Sequence, residues 1–400
     1  MTGPGQPIFG LDYHVWQRGR AVVGDRTFHT ATKPGLFAHH HDDPATDMLA
    51  HAMTACAGQM VVSMPCGSGL VGAVAAASGA SHVWMTDRNG LAVEAARRTL
   101  DANNVAAVVS LEHGAASLPA GMAADVVAIR VVPERIPMLI LLHEALRLLR
   151  PGGRCYLAGG NHEGAKSAAR SLGRLFGNVQ TMAQQRSHRL VVATRPLQAP
   201  VTPPDLLTPF IDAQVFHEIP VSLRGTAFTL FSRPGVFSWE HLDEATNVLA
   251  DLLDVAPGED VLDLGCGAGA LGVVAALQSR TGTACLVDVD SDAVRCAERT
   301  LHAAGVTNAR VHVSDVASAV LHDRFDVVVA NPPFHVGKHV DLDVPRQFIV
   351  DAHHVLKRGG RLLLVANRTL PYEAMLSAQF GVYHSLHDGK RFKVLSALKA

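Results

Sequence analysis

Short apolar runs alternate with longer amphipathic ones through the second half of the chain. The segments DVLDLGC, ACLVDVD, ARVHVSD, DVVVANP and RLLLVAN are short, apolar and often β-branched, and they predict strands. Between them lie ALGVVAALQSR, SDAVRCAERTLHAAG and PRQFIVDAHHVLKR, which predict helices. Regular strand–helix alternation predicts a parallel sheet covered on both faces, with any ligand held at the carboxyl ends of the strands.

The first half repeats this pattern. PGLFAHHHDDPATDMLA (34–50) and PGVFSWEHLDEATNVLA (234–250) agree at nine of 17 positions, 200 residues apart. VVSMPCGSGLVGAVAA pairs with VLDLGCGAGALGVVAA at the same offset, ADVVAI with FDVVVA at an offset of 201, and RLLRPGGRCYLAG with HVLKRGGRLLLVA. Collinear matches at a near-constant offset mean a tandem duplication. The fold class is therefore α/β, with two tandem Rossmann-like domains, 1–198 and 199–400. The join, TRPLQAPVTPPDLLTPFIDA (194–213), holds five prolines and predicts an extended linker.

Hydrophobic residues make up 48% of the 400 and charged residues 18%, which excludes a disordered chain. No apolar run reaches the roughly 18 residues needed to span a membrane, and the N-terminus MTGPGQPIFG carries no secretory pattern. The six cysteines form no CxxC pair, so neither a zinc site nor a disulfide framework is expected, and a reducing cytosol is. Net charge is −1, unevenly shared: residues 1–200 hold 18 Lys/Arg against 13 Asp/Glu, and residues 201–400 hold 17 against 23. Eleven basic residues fall between Arg130 and Arg195, which hints at a first half that faces a polyanion.

Chemistry gathers at the ends of the predicted strands of the second half. Asp263-Leu264-Gly265-Cys266-Gly267-Ala268-Gly269 closes the first strand and opens a helix. Glycines there permit a tight turn and close approach of backbone to a ligand. Asp288 ends the second strand, where a carboxylate can take both ribose hydroxyls of a nucleotide. Asp315 ends the third and suits an adenine amino group. The fourth ends on Asn331-Pro332-Pro333-Phe334. Two prolines stop strand pairing and stiffen the corner, which fixes the Asn331 amide at the mouth of the sheet. Taken singly these residues have plain structural readings: Asn331 as a turn cap, Phe334 as core, Asp263 as a brace for the glycine loop. His39-His40-His41-Asp42-Asp43 reads as a turn or helix cap rather than a metal cluster, because adjacent histidines rarely converge on one ion.

The four strand-end features together resemble class I S-adenosylmethionine-dependent methyltransferases that modify planar NH₂ groups. NPPFH, the PGVFS segment and the duplication resemble more narrowly the ribosomal RNA guanine-N2 methyltransferases, the small-subunit enzyme more than the large-subunit one. That resemblance implies S-adenosylmethionine held by Asp263, Gly265, Cys266, Gly267, Gly269, Asp288 and Asp315. It implies Asn331 and Pro332 as acceptors for the target amine, beside Pro333, and Phe334 stacked on the base. It implies no metal, and ribosomal RNA or a ribosomal subunit as partner. The same motif would also serve adenine N6 or a glutamine amide, and an RNA-binding or chaperone protein is the reading from another class.

The first half keeps Gly35, Gly67, Gly69, Gly72, Gly152 and Gly153, and Asp87 opposite Asp288, but has Pro65 in place of Gly265. It places Ser63 opposite Asp263, His113 opposite Asp315, and Arg130-Val131-Val132-Pro133 opposite the Asn-Pro-Pro-Phe motif. A catalytically dead, RNA-gripping copy is expected, in a monomer whose tandem repeat takes the place of a dimer.

Overall fold

The structure is a computed structural model that describes residues 11–39, 43–119, 121–198, 200–333 and 342–400. It divides into two compact units, Trp16–Val215 and Phe216–Ala400, and the second also takes the N-terminal segment up to Val15.

In the first unit a hairpin, β1 (Gln17–Val23) and β2 (Arg26–Thr32), precedes helix α1 (Pro44–Ala52). There follow β3 (Met60–Ser63), α2 (Leu70–Ala77), β4 (His82–Asp87), α3 (Gly90–Ala102), β5 (Val108–Leu111), β6 (Ala124–Arg130), α4 (Arg135–Leu148), β7 (Leu149–Gly160), α5 (Ala165–Phe176), β8 (Gln180–Gln185) and β9 (His188–Thr194). The second unit repeats the series: β10 (His217–Leu223), β11 (Thr226–Ser232), α6 (Glu244–Leu252), β12 (Val261–Leu264), α7 (Ala270–Gln278), β13 (Ala284–Asp288), α8 (Ser291–Ala303), β14 (Ala309–Val313), β15 (Phe325–Ala330), α9 (Asp343–Val355), β16 (Leu356–Asn367), α10 (Tyr372–Phe380), β17 (Tyr383–Asp388) and β18 (Phe392–Leu398).

Each unit holds a seven-stranded sheet, in the order β5-β4-β3-β6-β7-β9-β8 and β14-β13-β12-β15-β16-β18-β17. The strands up to β7 and β16 run parallel, as the alternation predicts. The last two in each sheet are antiparallel, because they join through a short turn rather than a helix. The central strands are buried along their whole length, β12 with no exposed position, as a sheet covered on both faces requires. In the first unit α1, α2 and α3 pack on one face and α4 and α5 on the other.

Two expectations need correction. The proline-rich join is not a bare extended tether. It forms two 3₁₀ turns, Pro204–Leu206 and Pro209–Ile211, which dock on the first unit: Leu206 is buried and its carbonyl bonds the His143 ring at 2.9 Å. Burial of apolar Leu206 and Phe210 favours docking over a solvated tether, and the division between units falls after Val215. The helix expected over PRQFIVDAHHVLKR ends at Val355, and Leu356 turns to extended backbone (φ −70°, ψ 139°) so that Leu356 and Arg361 can both pair with β15.

Candidate functional site

Strand register sets the site. Leu264 of β12 lies beside Val287 of β13 and Ala330 of β15. The next residue on each strand is Gly265, Asp288 and Asn331, so the three stand in a row at the carboxyl edge, about 10 Å across at the usual strand spacing. Asp288 pairs with Val313 of β14, and Asp315 follows two residues on. Parallel strands thus bring four separate sequence motifs to one edge.

The glycine loop is left-handed at Gly265, Gly267 and Gly269 (φ 78°, 52° and 86°). A Cβ on Gly267 would meet nothing within 4 Å, so that face of the loop is open to a ligand. The Gly267 amide donates to Asp288 Oδ2 at 2.9 Å and the Asp290 amide to Oδ1 at 3.0 Å, which fixes the carboxylate at its strand end. Cys266, within the loop, is buried, and burial pushes its thiol well above the ordinary value, which suits no nucleophile.

Asp263 sits in β12 below this loop. Both carboxylate oxygens are buried and reach no side-chain hydrogen-bond partner; the Gly272 backbone amide is a donor toward them that only partly offsets burial. Burial, with a smaller push from Asp288, raises its carboxyl to about 7. An unpaired buried carboxylate is costly, and a cation is the ligand that would relieve it. The ammonium of a methionine moiety fits that need, and the ribose would fit Asp288. Asp263 is buried, so it would act from beneath the loop.

Asp315 receives the Tyr13 hydroxyl at 2.8 Å. Tyr13 belongs to the turn Leu11–His14, and its ring is buried in the core around α9. The next residue, His14, bonds Asp351 at 3.2 Å, and Gln347 donates to the same Asp351 oxygen at 2.6 Å. The segment is thereby anchored where adenine is expected. Val316, just past Asp315, is β-branched yet left-handed (φ 52°), while the equivalent residue of the first unit is Gly114 (φ 86°). The second unit keeps a strained corner that the first has relaxed. No local sequence signal marks Tyr13, which lies 302 residues from its partner.

Asn331 is half-buried at the end of β15. Its Nδ2 donates to Thr246 Oγ1 at 2.9 Å and to Asp243 Oδ2 at 3.2 Å. Asp243 is the N-cap of α6 and accepts the Thr246 amide at 2.8 Å, so one capping turn orients the carboxamide. With both hydrogens spent on these acceptors, the oxygen is the end presented outward. Asp243 and Thr246 carry a sequence signal: both are identical between the repeats, as Asp43 and Thr46. Pro332 is buried and Pro333 exposed. Phe334, His335 and Lys338 lie outside the described residues.

The methyltransferase small domain family matches residues 27–192 and 227–396. A ribosomal RNA small subunit methyltransferase C of Hahella chejuensis is 32% identical over 71% of this chain and 80% of its own length. That of Pseudomonas syringae is 31% identical over 68% and 79%. The solved structure of the Thermus thermophilus 16S rRNA N2 G1207 methyltransferase (RsmC), in complex with AdoMet and guanosine, covers 97% of this chain and 99% of its own, at 28% identity and a TM-score of 0.82. This chain belongs to the small-subunit ribosomal RNA guanine-N2 methyltransferase family.

In this methyltransferase the first unit repeats the scaffold with other residues at these positions. Asp87 still accepts the Gly67 and Asn89 amides, both at 3.0 Å. Buried Ser63 replaces the Asp263 carboxylate, and the His113 ring bonds the Pro137 carbonyl at 3.4 Å. Arg130 stands at the Asn331 position. Its guanidinium meets the capping Asp43 (2.8 and 3.0 Å) and Glu163 (2.7 Å) in a buried triad. Burial pushes the Asp43 carboxyl up, but the guanidinium outweighs it and holds the group below its ordinary value. In the second unit Leu370 stands where Glu163 does, so the triad has no third corner there.

Among the described residues no group of three or more His, Cys, Asp or Glu side chains could hold a metal ion, and no helix is long and apolar enough to cross a membrane. Asp43 caps α1, as the His-His-His-Asp-Asp stretch predicts.

Proposed function

We propose that this protein transfers a methyl group from S-adenosylmethionine to the exocyclic N2 of a guanine in 16S ribosomal RNA. The observation that supports the reading is the Asn331 carboxamide at the carboxyl edge of the sheet, whose nitrogen is held by Asp243 and Thr246, which leaves its oxygen as the end that can accept from a substrate.

A guanine N2 lone pair is conjugated into the ring and is a poor nucleophile. Asn331 Oδ1 and the Pro332 carbonyl would accept the two amine hydrogens. Accepting both favours a pyramidal nitrogen and stabilises the positive charge that grows on it. When bound, the cofactor supplies an electrophilic methyl. Gly265, Gly267, Asp288 and Asp315 position the donor, with Asp263 opposing its positive charge from below. The N–C bond forms as the S–C bond breaks, and the excess proton leaves N2 for water. Rate enhancement comes from positioning and electrostatics. The target base must leave its stack to reach the site.

We assign RNA holding to the first unit. α5 buries Ala165, Ala168, Ala169, Leu172, Leu175 and Phe176, and its other face presents Lys166, Arg170 and Arg174 at four-residue spacing. Lys166 and Arg170 are exposed, whereas Arg174 is held bidentately by Asp205 at 2.7 Å. The segment from Arg130 to Arg195, with its eleven basic residues, is thus less basic than it reads: Arg130 is buried in the triad, and Arg147 and Arg150 face Glu144 and Asp125. Lys166 and Arg170 are the phosphate contacts that best survive this accounting. We place the enzyme in the cytosol as a monomer.

Nucleoside mass spectrometry of 16S RNA from cells with and without the protein tests the reading. Loss of one N2-methylguanosine is expected on deletion, with restoration by the wild-type gene and not by Asn331→Ala. An unchanged N2-methylguanosine content would refute it.

A further inference from the structure

Among the exposed large apolar side chains of the described residues, the only aromatic ones are Phe37 and Phe237, 57% and 59% exposed. They occupy the same place in the two repeats, 200 residues apart. Each follows a type II turn. In the second unit this is Arg233-Pro234-Gly235-Val236, closed by the Val236 amide on the Arg233 carbonyl at 3.1 Å, with Gly235 at φ 94°. The residue after each phenylalanine is left-handed without being glycine: Ala38 at 62° and Ser238 at 52°. Ser238 Oγ fixes this kink by donating to the His241 carbonyl at 2.7 Å. In both units a left-handed, non-glycine residue thus follows a phenylalanine whose ring stays more than half exposed, where burial would be favourable.

The first unit shows what such a ring covers. The Phe37 ring lies 4.9 Å from the Arg130 guanidinium carbon. Arg130 occupies the Asn331 position, and its Nε meets Asp43 as Asn331 Nδ2 meets Asp243. Beyond that shared anchor, the arginine extends a flat group under the ring, and the shorter asparagine ends. The first unit thus carries a flat group of its own beneath the phenylalanine ring, its N–H groups held by Asp43, Glu163 and the Val131 carbonyl.

We propose that Phe237 stacks on the guanine held by Asn331 and is a base-positioning residue of the second unit. The proposal rests on the assignment of Asn331 as amine acceptor. It predicts specificity for a flat, aromatic substrate and not for an aliphatic amide such as a glutamine side chain.

The test is steady-state methyl transfer to 16S RNA or small subunits lacking the modification, with Phe237→Ala, Phe237→Leu and Phe237→Trp, and Phe37→Ala as control. A stacked base is held by enough energy that kcat/KM for RNA should fall on the order of ten- to a hundredfold in Phe237→Ala. Phe237→Leu should recover little and Phe237→Trp most of it, and S-adenosylmethionine affinity by calorimetry should stay within about twofold in all three. Phe37→Ala should transfer at the wild-type rate. A kcat/KM for Phe237→Ala within twofold of wild type, recovery by leucine equal to that by tryptophan, or parallel loss of cofactor affinity would each overturn stacking. If the wild-type protein transfers no methyl to guanine N2, the underlying reading fails instead.

Discussion

Asp243 caps helix α6 and at the same time holds the nitrogen of Asn331, 88 residues away, at 3.2 Å. A helix cap and the Asn331 carboxamide share one carboxylate. The capping turn is held by its own bonds from Thr246 to Asp243, so the carboxamide cannot rotate to present its nitrogen without giving up both of its hydrogen bonds to that turn. In the first unit the equivalent Asp43 performs the same cap but holds Arg130. The duplication kept the anchor and exchanged what is anchored.

Asn331→Ala is expected to lower kcat by two to three orders of magnitude, the usual loss on removing a transition-state hydrogen-bond partner. Thr246→Val should lower it about tenfold by loosening the carboxamide, with S-adenosylmethionine affinity unchanged in both. Single-turnover rates and calorimetry check this. A Thr246→Val enzyme at full rate would show that the carboxamide needs no second anchor.

Asp263 gives a pH signature. Its carboxyl is raised to about 7 in the folded protein, against about 3.9 in an unfolded chain. Below about pH 4 it is protonated in both states and costs nothing. Between pH 4 and 7 the unfolded chain gives up the proton first, so stability falls as pH rises and then levels off. Asp263→Asn should flatten this slope and raise the cofactor-free melting temperature at pH 8 but not at pH 4, while weakening S-adenosylmethionine binding. Thermal unfolding across pH and calorimetry decide. A variant with the wild-type slope would contradict the buried, unpaired state.

Tyr13→Phe removes one hydrogen bond to the Asp315 carboxylate. Bonds to charged groups contribute about 1.5–3 kcal/mol, and the pair is only partly buried. S-adenosylmethionine affinity should fall roughly three- to tenfold, with kcat at saturating cofactor little changed. Equal affinity by calorimetry would remove the N-terminal turn from the cofactor site.

Arg130→Ala leaves Asp43 and Glu163 buried without their cation. Breaking a buried pair in this way costs about 3–5 kcal/mol, so the first unit should unfold early in urea. Both carboxyls are held below their ordinary values in the wild type, by Arg130 against the opposing effect of burial. Their contribution is present above the unfolded carboxylate range and is lost as pH falls through their lowered values. Arg130→Met should show a weaker acid dependence than wild type.

Lys166→Glu with Arg170→Glu should weaken RNA binding and reduce the salt slope by roughly 0.7–0.9 per lost phosphate contact. Arg174→Glu should weaken it less, since Asp205 already balances that charge. Filter binding across salt concentrations measures both. Equal effects of Arg170→Glu and Arg174→Glu would deny the first unit this contact face.

The sequence by itself determined the duplication, the strand–helix order and the four strand-end motifs. These are local properties: a two-residue or 3.6-residue period, a run of glycines and a pair of prolines each constrain their own neighbourhood. It also marked the contrast between Asn331 and Arg130, because collinear repeats align residues without coordinates. Only the tertiary structure decided which oxygen of the site faces outward, since that depends on Asp243 and Thr246 meeting Asn331 across the packed layers. Only it brought Tyr13 to Asp315, buried Arg130 between two carboxylates, and neutralised Arg174 with Asp205. Hydrogen bonds and ion pairs act over a few ångströms with no regard for chain separation, so no periodicity records them. The burial that drives Asp263 toward neutral pH likewise comes from the whole sheet and its helices, not from its neighbours in the chain.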